Sequence, residues 1–205
     1  MPTDPSRAAA DVLPPYKAAR RTQILAAAAR LLEQQPFEQI QMRDVADAAD
    51  VAMGTLYRYF RSKELLYVHV LEMWARWESP EDREGGLAPA AAVERLRSKV
   101  HLVMDSVERR PNFFALEVTL RTSTDPDVRA KRQAWSDTGA AWLVQDLGVL
   151  GADRARRLGV VTWAVISDVL QRATINGEPF AEARATVDEL LALLAAPLRQ
   201  AETRP

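Results

Sequence analysis

The chain has 205 residues, no cysteine and a near balance of charge, with 27 Lys and Arg against 28 Asp and Glu. The missing cysteine excludes disulfides, thiolate chemistry and cysteine-held zinc, and the neutral balance gives no overall electrostatic reason to bind nucleic acid. The length allows one or two domains with a sizeable core. No alternating β-branched run of strand length appears, so the expectation is an all-α chain of about nine helices. No apolar stretch is read as reaching the roughly 18 residues of a membrane span, and the first residues lack a signal-peptide core. A soluble cytoplasmic protein with no membrane partner is therefore expected.

Residues 1–15 are rich in Pro and Ala and read as a flexible N-terminal arm. A first helix over 18–34 carries Ile24, Leu25, Ala28, Leu31 and Leu32 as its apolar stripe, and Pro36 stops it. Phe37 and Ile40 then plug the connection. From Gln41 to Lys63 the pattern is two short helices around a turn at Asp50-Val51. Asp tolerates the left-handed conformation that ends a helix. Met42, Val45, Ala46 and Ala49 give the first of the pair one buried face. In the second, over 52–60, Val51, Leu56 and Phe60 face inward and leave Met53, Thr55, Tyr57, Arg58 and Tyr59 largely outward.

Two readings fit those outward tyrosines. One is an amphipathic helix lying against a neighbour. The other is a recognition helix, its hydroxyls and guanidinium reaching phosphates and its first residues reaching base edges in a major groove. Lys17, Arg20, Arg21, Arg43, Arg58, Arg61 and Lys63 form a local basic footprint around this pair.

Ser62 caps a fourth helix that is apolar nearly all round, through Leu65, Leu66, Val68, Val70, Leu71, Trp74 and Trp77. Residues 79–89 are a charged loop with Gly85-Gly86. Further helices are expected over 90–109, from Pro111, over 126–147, over 153–175 and from Pro179. The chain divides as arm 1–15, a three-helix helix-turn-helix domain 16–62 and a helical domain 63–205 for ligand binding and dimerisation. The helix over 153–175 is apolar on two faces and the last helix bears a leucine stripe. Val165, Val169, Val187, Leu191, Leu194 and Leu198 are therefore expected at a homodimer interface.

Aromatic residues crowd the middle helices. They form either an ordinary core or an apolar ligand pocket. The pocket reading uses Met104, Phe114, Leu120, Trp135, Trp142 and Trp163 as walls, with His101, Glu117, Arg121 and Thr138 as polar points. A compact apolar effector is favoured over a coenzyme A thioester, whose phosphates would need Arg121, Arg129, Lys131 and Arg132. No metal, cofactor or nucleophile signature appears, and the chain is not read as an enzyme.

The run from Val45 to Leu66, with Gly-Thr-Leu-Tyr-Arg-Tyr-Phe at 54–60 followed by Ser62, Lys63, Glu64 and Leu65, resembles the DNA-binding signature of the TetR family of transcriptional repressors. The likeness covers residues 18–75, and the helix-turn-helix half also resembles that of the repressors of steroid breakdown, which answer to steroid or acyl-CoA metabolites. It implies a homodimer whose last two helices pair with their copies, a double-stranded DNA operator and a small lipid-like effector. It also implies that Arg43, Met53, Gly54 and Thr55 approach the groove. Tyr57, Tyr59 and Lys63 would meet the phosphate backbone, and Arg58 either. Such chains usually begin the recognition helix with a hydroxyl residue; here Ala52 removes a cap typically worth about 1 kcal/mol. The alternative is a helical carrier or protein-interaction module with an unused helix-turn-helix.

Overall fold

A computed structural model describes residues 14–78 and 91–202. Among them are nine α-helices, two short 3-10 turns and no strand: α1 (Pro15–Gln34), α2 (Met42–Ala48), α3 (Met53–Tyr59), α4 (Lys63–Glu78), α5 (Ala92–Arg109), α6 (Pro111–Leu120), α7 (Pro126–Leu147), α8 (Ala152–Ile175) and α9 (Phe180–Glu202). The expected arm over residues 1–13, the loop at 79–89, and the side chains of Trp77 and Thr138 lie outside the described residues.

Prolines open three of these helices. Pro15, Pro111 and Pro126 each stand in a first turn, where a missing N–H costs nothing and the fixed φ is already helical. α1 buries Ile24, Leu25, Ala27, Ala28 and Leu32 on one side. The two small alanines suit the close packing of α2 and α4 on α1. The backbone N–H of Gln41 donates to Asp44 Oδ2 at 2.7 Å and satisfies one orphan donor at the start of α2. The turn after α2 depends on Asp50, which has φ 49°, the left-handed conformation expected of it. Gln23 Nε2 donates to the Ala49 carbonyl at 2.7 Å and ties this turn to α1. Leu56 and Phe60 complete a small core with Ile24, Ile40 and Val45, all about 1 % exposed or less.

α4 belongs to both halves of the chain. Its Leu66, Tyr67, Val68, Val70 and Leu71 expose 2 % or less. Ser62 Oγ accepts from Leu65 N–H at 3.1 Å, the cap its position in the sequence implies. Tyr67 donates to the Ala28 carbonyl at 3.2 Å and meets the edge of Phe37 at 5.3 Å. Burial raises the Tyr67 phenol well above its ordinary pKa.

In the second half α7, α8 and α9 pack in sequence, and α5 lies between α7 and α9. α8 contains an 18-residue window of mean hydropathy 1.2, so one helix is apolar and long enough to cross a membrane, contrary to the expectation from sequence. Ile166, Leu170 and Ala173 instead bury its inner face within the chain. α7 and α8 touch most closely at Gly159, where a Cβ would stand 2.3 Å from Val144 Cγ2. Valine is stiff about χ1 and cannot swing away cheaply. Gly159→Ala should therefore destabilise the fold by about 1–2 kcal/mol despite the better helix propensity of alanine. Thermal unfolding checks this, and adding Val144→Ala should recover most of the loss.

Candidate nucleic-acid interface and effector region

α3 is seven residues long and is held by Leu56 and Phe60. Its outward face carries Gly54, Tyr57 and Arg58, with Tyr57 48 % exposed. Met53, Thr55 and Tyr59 are half-buried, and Met53 and Tyr59 pack against the core. Arg43 is exposed at the start of α2. A side chain at position 54 would meet nothing within 4 Å, so this end of α3 is open. Ala52 supplies no side-chain cap, and its carbonyl accepts from Thr55 and Leu56 N–H at 2.8 and 3.1 Å. The first N–H groups of α3 therefore have no side-chain acceptor within the helix, and they sit where a phosphate could take them.

The basic footprint is narrower than the sequence count. Lys63 Nζ lies 4.0 Å over the Phe37 ring and is half-buried. Burial lowers its pKa, against the opposing pull of Glu38 and Asp44. Arg21 lies over Phe60 at 5.4 Å. Arg61 turns away from the outward face and bonds Asp125 and Asp127 of the second half. Lys17, Arg20, Arg43 and Arg58 remain exposed cations of that footprint.

The effector residues do not share one environment. Met104, Phe114, Leu120 and Glu117 are buried, whereas Trp135, Trp142 and Trp163 are half-buried. Glu117 already accepts from Arg121 Nε and Nη2 at 3.0 and 2.7 Å, with Arg132 at 3.9 Å, so its charge is answered within the chain. His101 faces α9, 2.9 Å from Asp188, and is corrected from pocket residue to an α5–α9 surface contact. Buried polar atoms without a hydrogen-bond partner among the described residues include Arg132 Nε, Trp74 Nε1, packed 5.3 Å from Phe113, and the hydroxyls of Ser106, Thr162 and Ser167. An open cleft of about 200 Å³ lies elsewhere, between Leu32 and Glu33 of α1 and Pro111 to Phe113 of α6.

Sequence reasoning missed Lys99 and Asp146. Both are buried, 2.6 Å apart, with Arg95 Nε also 2.7 Å from Asp146. Lys99 further donates to the Trp142 carbonyl at 2.9 Å and lies 4.9 Å over its ring. The signal was present, since Lys99 falls inside the stripe of Leu96, Val100 and Val103.

Of the residues expected at a dimer interface, Val169, Val187, Leu191, Leu194 and Leu198 are 7 % exposed or less within the chain's own core, and Val165 is half-buried. Apolar side chains left outward on these two helices are Val160 (67 % exposed), Val161 (51 %) and Ile175 (51 %) on α8 and Leu193 (74 %) on α9.

An exposed, tyrosine-bearing second helix on a three-helix base defines a helix-turn-helix protein. The family described as "Bacterial regulatory proteins, tetR family" matches residues 24–70. Over 161 residues, 78 % of this chain, the sequence is 41 % identical to the HTH-type transcriptional repressor KstR of Mycobacterium tuberculosis, of whose length the chain spans 60 %. Among solved structures, a TetR transcriptional regulator from Rhodococcus sp. RHA1 aligns with a TM-score of 0.71 at 21 % identity, over 87 % of this chain and 97 % of that one. The transcriptional regulator FadR of Bacillus subtilis, solved in complex with stearoyl-CoA, aligns with a TM-score of 0.66 at 21 % identity, over 84 % and 96 %. The likeness to the TetR family is thus carried in sequence by residues 24–70 and in fold by most of the described chain.

The buried pair yields a test of the second half. Asp146→Ala leaves Lys99 charged and unpaired and should cost about 3–5 kcal/mol in urea unfolding. Asp146→Leu with Lys99→Met, which removes both charges, should lose far less.

Proposed function

We propose that this chain is a ligand-responsive, DNA-binding transcriptional regulator, a homodimeric repressor that leaves a palindromic operator when it takes up a small, largely apolar effector. The observation that carries the reading is the open face of α3, with Tyr57 and Arg58 exposed beside Arg43 within the span that matches the family. On this reading residues 16–62 read DNA and 63–205 bind ligand and dimerise, and the protein acts in the cytoplasm. Arg43, Met53, Gly54 and Thr55 approach base edges, Tyr57 and Tyr59 hold phosphates, and Arg58 does either. Lys63 reaches a phosphate only by leaving the Phe37 ring.

A binding assay on genomic fragments at several salt concentrations tests this against a carrier with an unused helix-turn-helix. A regulator prefers a sequence and loses affinity steeply with salt. Tyr57→Phe with Arg58→Ala should weaken binding to all DNA, while Arg43→Ala should lose discrimination at one base pair by about 1–3 kcal/mol. Salt-independent binding without sequence preference would favour the carrier.

Dimerisation is assigned to the outward apolar patch. Val160, Val161 and Leu193 are exposed on adjacent packed helices, and a two-fold pairing would bury them and set two recognition helices about 34–36 Å apart. Leu193→Glu should give folded monomers by sedimentation. Leu194→Glu, one residue along, should unfold the chain instead, because that side chain is 7 % exposed.

The effector region is assigned to α4–α8. The stearoyl-CoA complex of FadR supports a ligand with a long apolar body, and lipid, steroid and acyl-CoA classes all suit the half-buried Trp135, Trp142 and Trp163. Trp74 Nε1–H and the Thr162 hydroxyl, buried without protein partners, suit an oxygen acceptor on that ligand.

A further inference from the structure

Arg61 lies in the turn between the recognition helix and α4, two residues after Tyr59. Its Nη2 donates to both oxygens of Asp125, at 2.8 and 3.1 Å, and its Nη1 donates to Asp127. Asp125 is also the N-cap of α7, where its side chain accepts from Asp127 N–H at 2.9 Å. Three residues beyond Arg61, Glu64 Oε2 accepts from the Ser123 hydroxyl at 2.5 Å, and Ser123 Oγ in turn accepts from Asp125 N–H at 3.3 Å. Two positions flanking the α3–α4 turn are thus bracketed against the α6–α7 turn, about sixty residues away in sequence.

The chemistry of this bracket suits positioning. The first turn of a helix favours negative charge, which suits carboxylates at 125 and 127, and the planar guanidinium fork fixes direction as well as distance. Exposed ion pairs contribute little to stability, and Arg61 is exposed, so stability does not explain the arrangement. Orientation does. Elsewhere the second half grips α1, through Asn112 Nδ2 to the Leu32 carbonyl at 2.9 Å and Arg110 to Glu33 at 3.2 Å. The Arg61 bracket is the grip beside α3 itself.

We propose that Arg61 is a positioning residue, latched by Asp125 and Asp127, that sets the angle of the recognition helix and is not a phosphate ligand. The proposal rests on the reading of the chain as a DNA-binding regulator. It adds that the first turn of α7 controls operator affinity: anything that moves this turn releases α3. α7 carries Lys131 and Arg132, which reach Glu72 of α4 and Glu117 of α6, so the turn is joined to the helices assigned to the effector.

The competing role, a phosphate contact, differs in sign. Asp125→Asn with Asp127→Asn removes the charges while Asn retains the N-cap. The probe is a duplex selected by the wild-type chain from a random-sequence pool. For a latch, Arg61→Gln and the double asparagine variant each weaken binding about tenfold. The triple variant loses the same tenfold and not a hundredfold, and the salt slope is unchanged. If the asparagine variant binds as tightly as wild type or tighter, or if Arg61→Gln lowers the salt slope by about one, Arg61 is a phosphate ligand and the latch is wrong. Additive losses also overturn it. A second arm needs no DNA. The chain has no native cysteine, so spin labels at Ala48→Cys and Ala130→Cys, diluted with unlabelled chain, report the α2–α7 distance by pulsed dipolar spectroscopy. The latch predicts one narrow distribution that broadens in both variants, and an unchanged distribution refutes it. If the wild type selects no sequence, the regulator reading fails, and the distance arm still decides the latch.

Discussion

The structure depends on α4 being buried on nearly every side. A helix whose Leu66, Tyr67, Val68, Val70 and Leu71 are all covered cannot turn about its axis without exposing apolar surface to water. Each such side chain is worth about 1.5–3 kcal/mol in burial. α4 therefore passes displacement from one half to the other as a body. Its Tyr67 makes this concrete, because the ring packs edge-on to Phe37 while the hydroxyl holds the Ala28 carbonyl of α1. At its other end Trp74 packs against Phe113 of α6. A group that shifts α6 thus shifts α4, and α4 carries the base of the helix-turn-helix with it.

On α4 itself, charge lies at the edges of this packing. His69 shows the pattern: its ring packs edge-on to Phe60 at 5.7 Å, and its Nδ1 lies 2.7 Å from Glu72. Glu72 in turn meets Lys131 of α7 at 3.4 Å. Partial burial pushes the Glu72 carboxyl up, but His69 and Lys131 outweigh it and hold the group below the ordinary range. Such a group supports the fold above its unfolded pKa and loses that support as pH falls through the lower folded value. The contact between α4 and α7 is therefore secure at neutral pH.

Much of this was legible in the sequence, and the reasons are local. Prolines at 111 and 126 and Ser62 marked helix starts, and Asp50 marked the left-handed turn, because backbone sterics act over one or two residues; Pro15, read as the end of an arm, opens α1 three residues before the expected start. The pairing of faces was not legible. A leucine stripe on α9 shows that one side is buried but not by what, and Leu191, Leu194 and Leu198 turned out to face the chain itself. The outward patch of Val160, Val161 and Leu193 falls beside that stripe, and helical spacing does not separate the two. The partners of His101 and Glu117 were not all legible either: Asp188 and Arg132 reach them only once α5 meets α9 and α6 meets α7.

A seven-residue helix has no stability of its own, since nucleation costs more than so few hydrogen bonds return. α3 also lacks a side-chain cap at Ala52. Its helical state is borrowed from Leu56 and Phe60 in the core, from the guanidinium of Arg21 over Phe60, and from the turns at either end. An element held in that way keeps its shape only while its neighbours keep theirs. A longer, well-capped recognition helix would read DNA in one fixed pose. This one places Tyr57 and Arg58 where α1, α4 and the first turn of α7 jointly put them, and so the surface offered to DNA is a property of the whole chain.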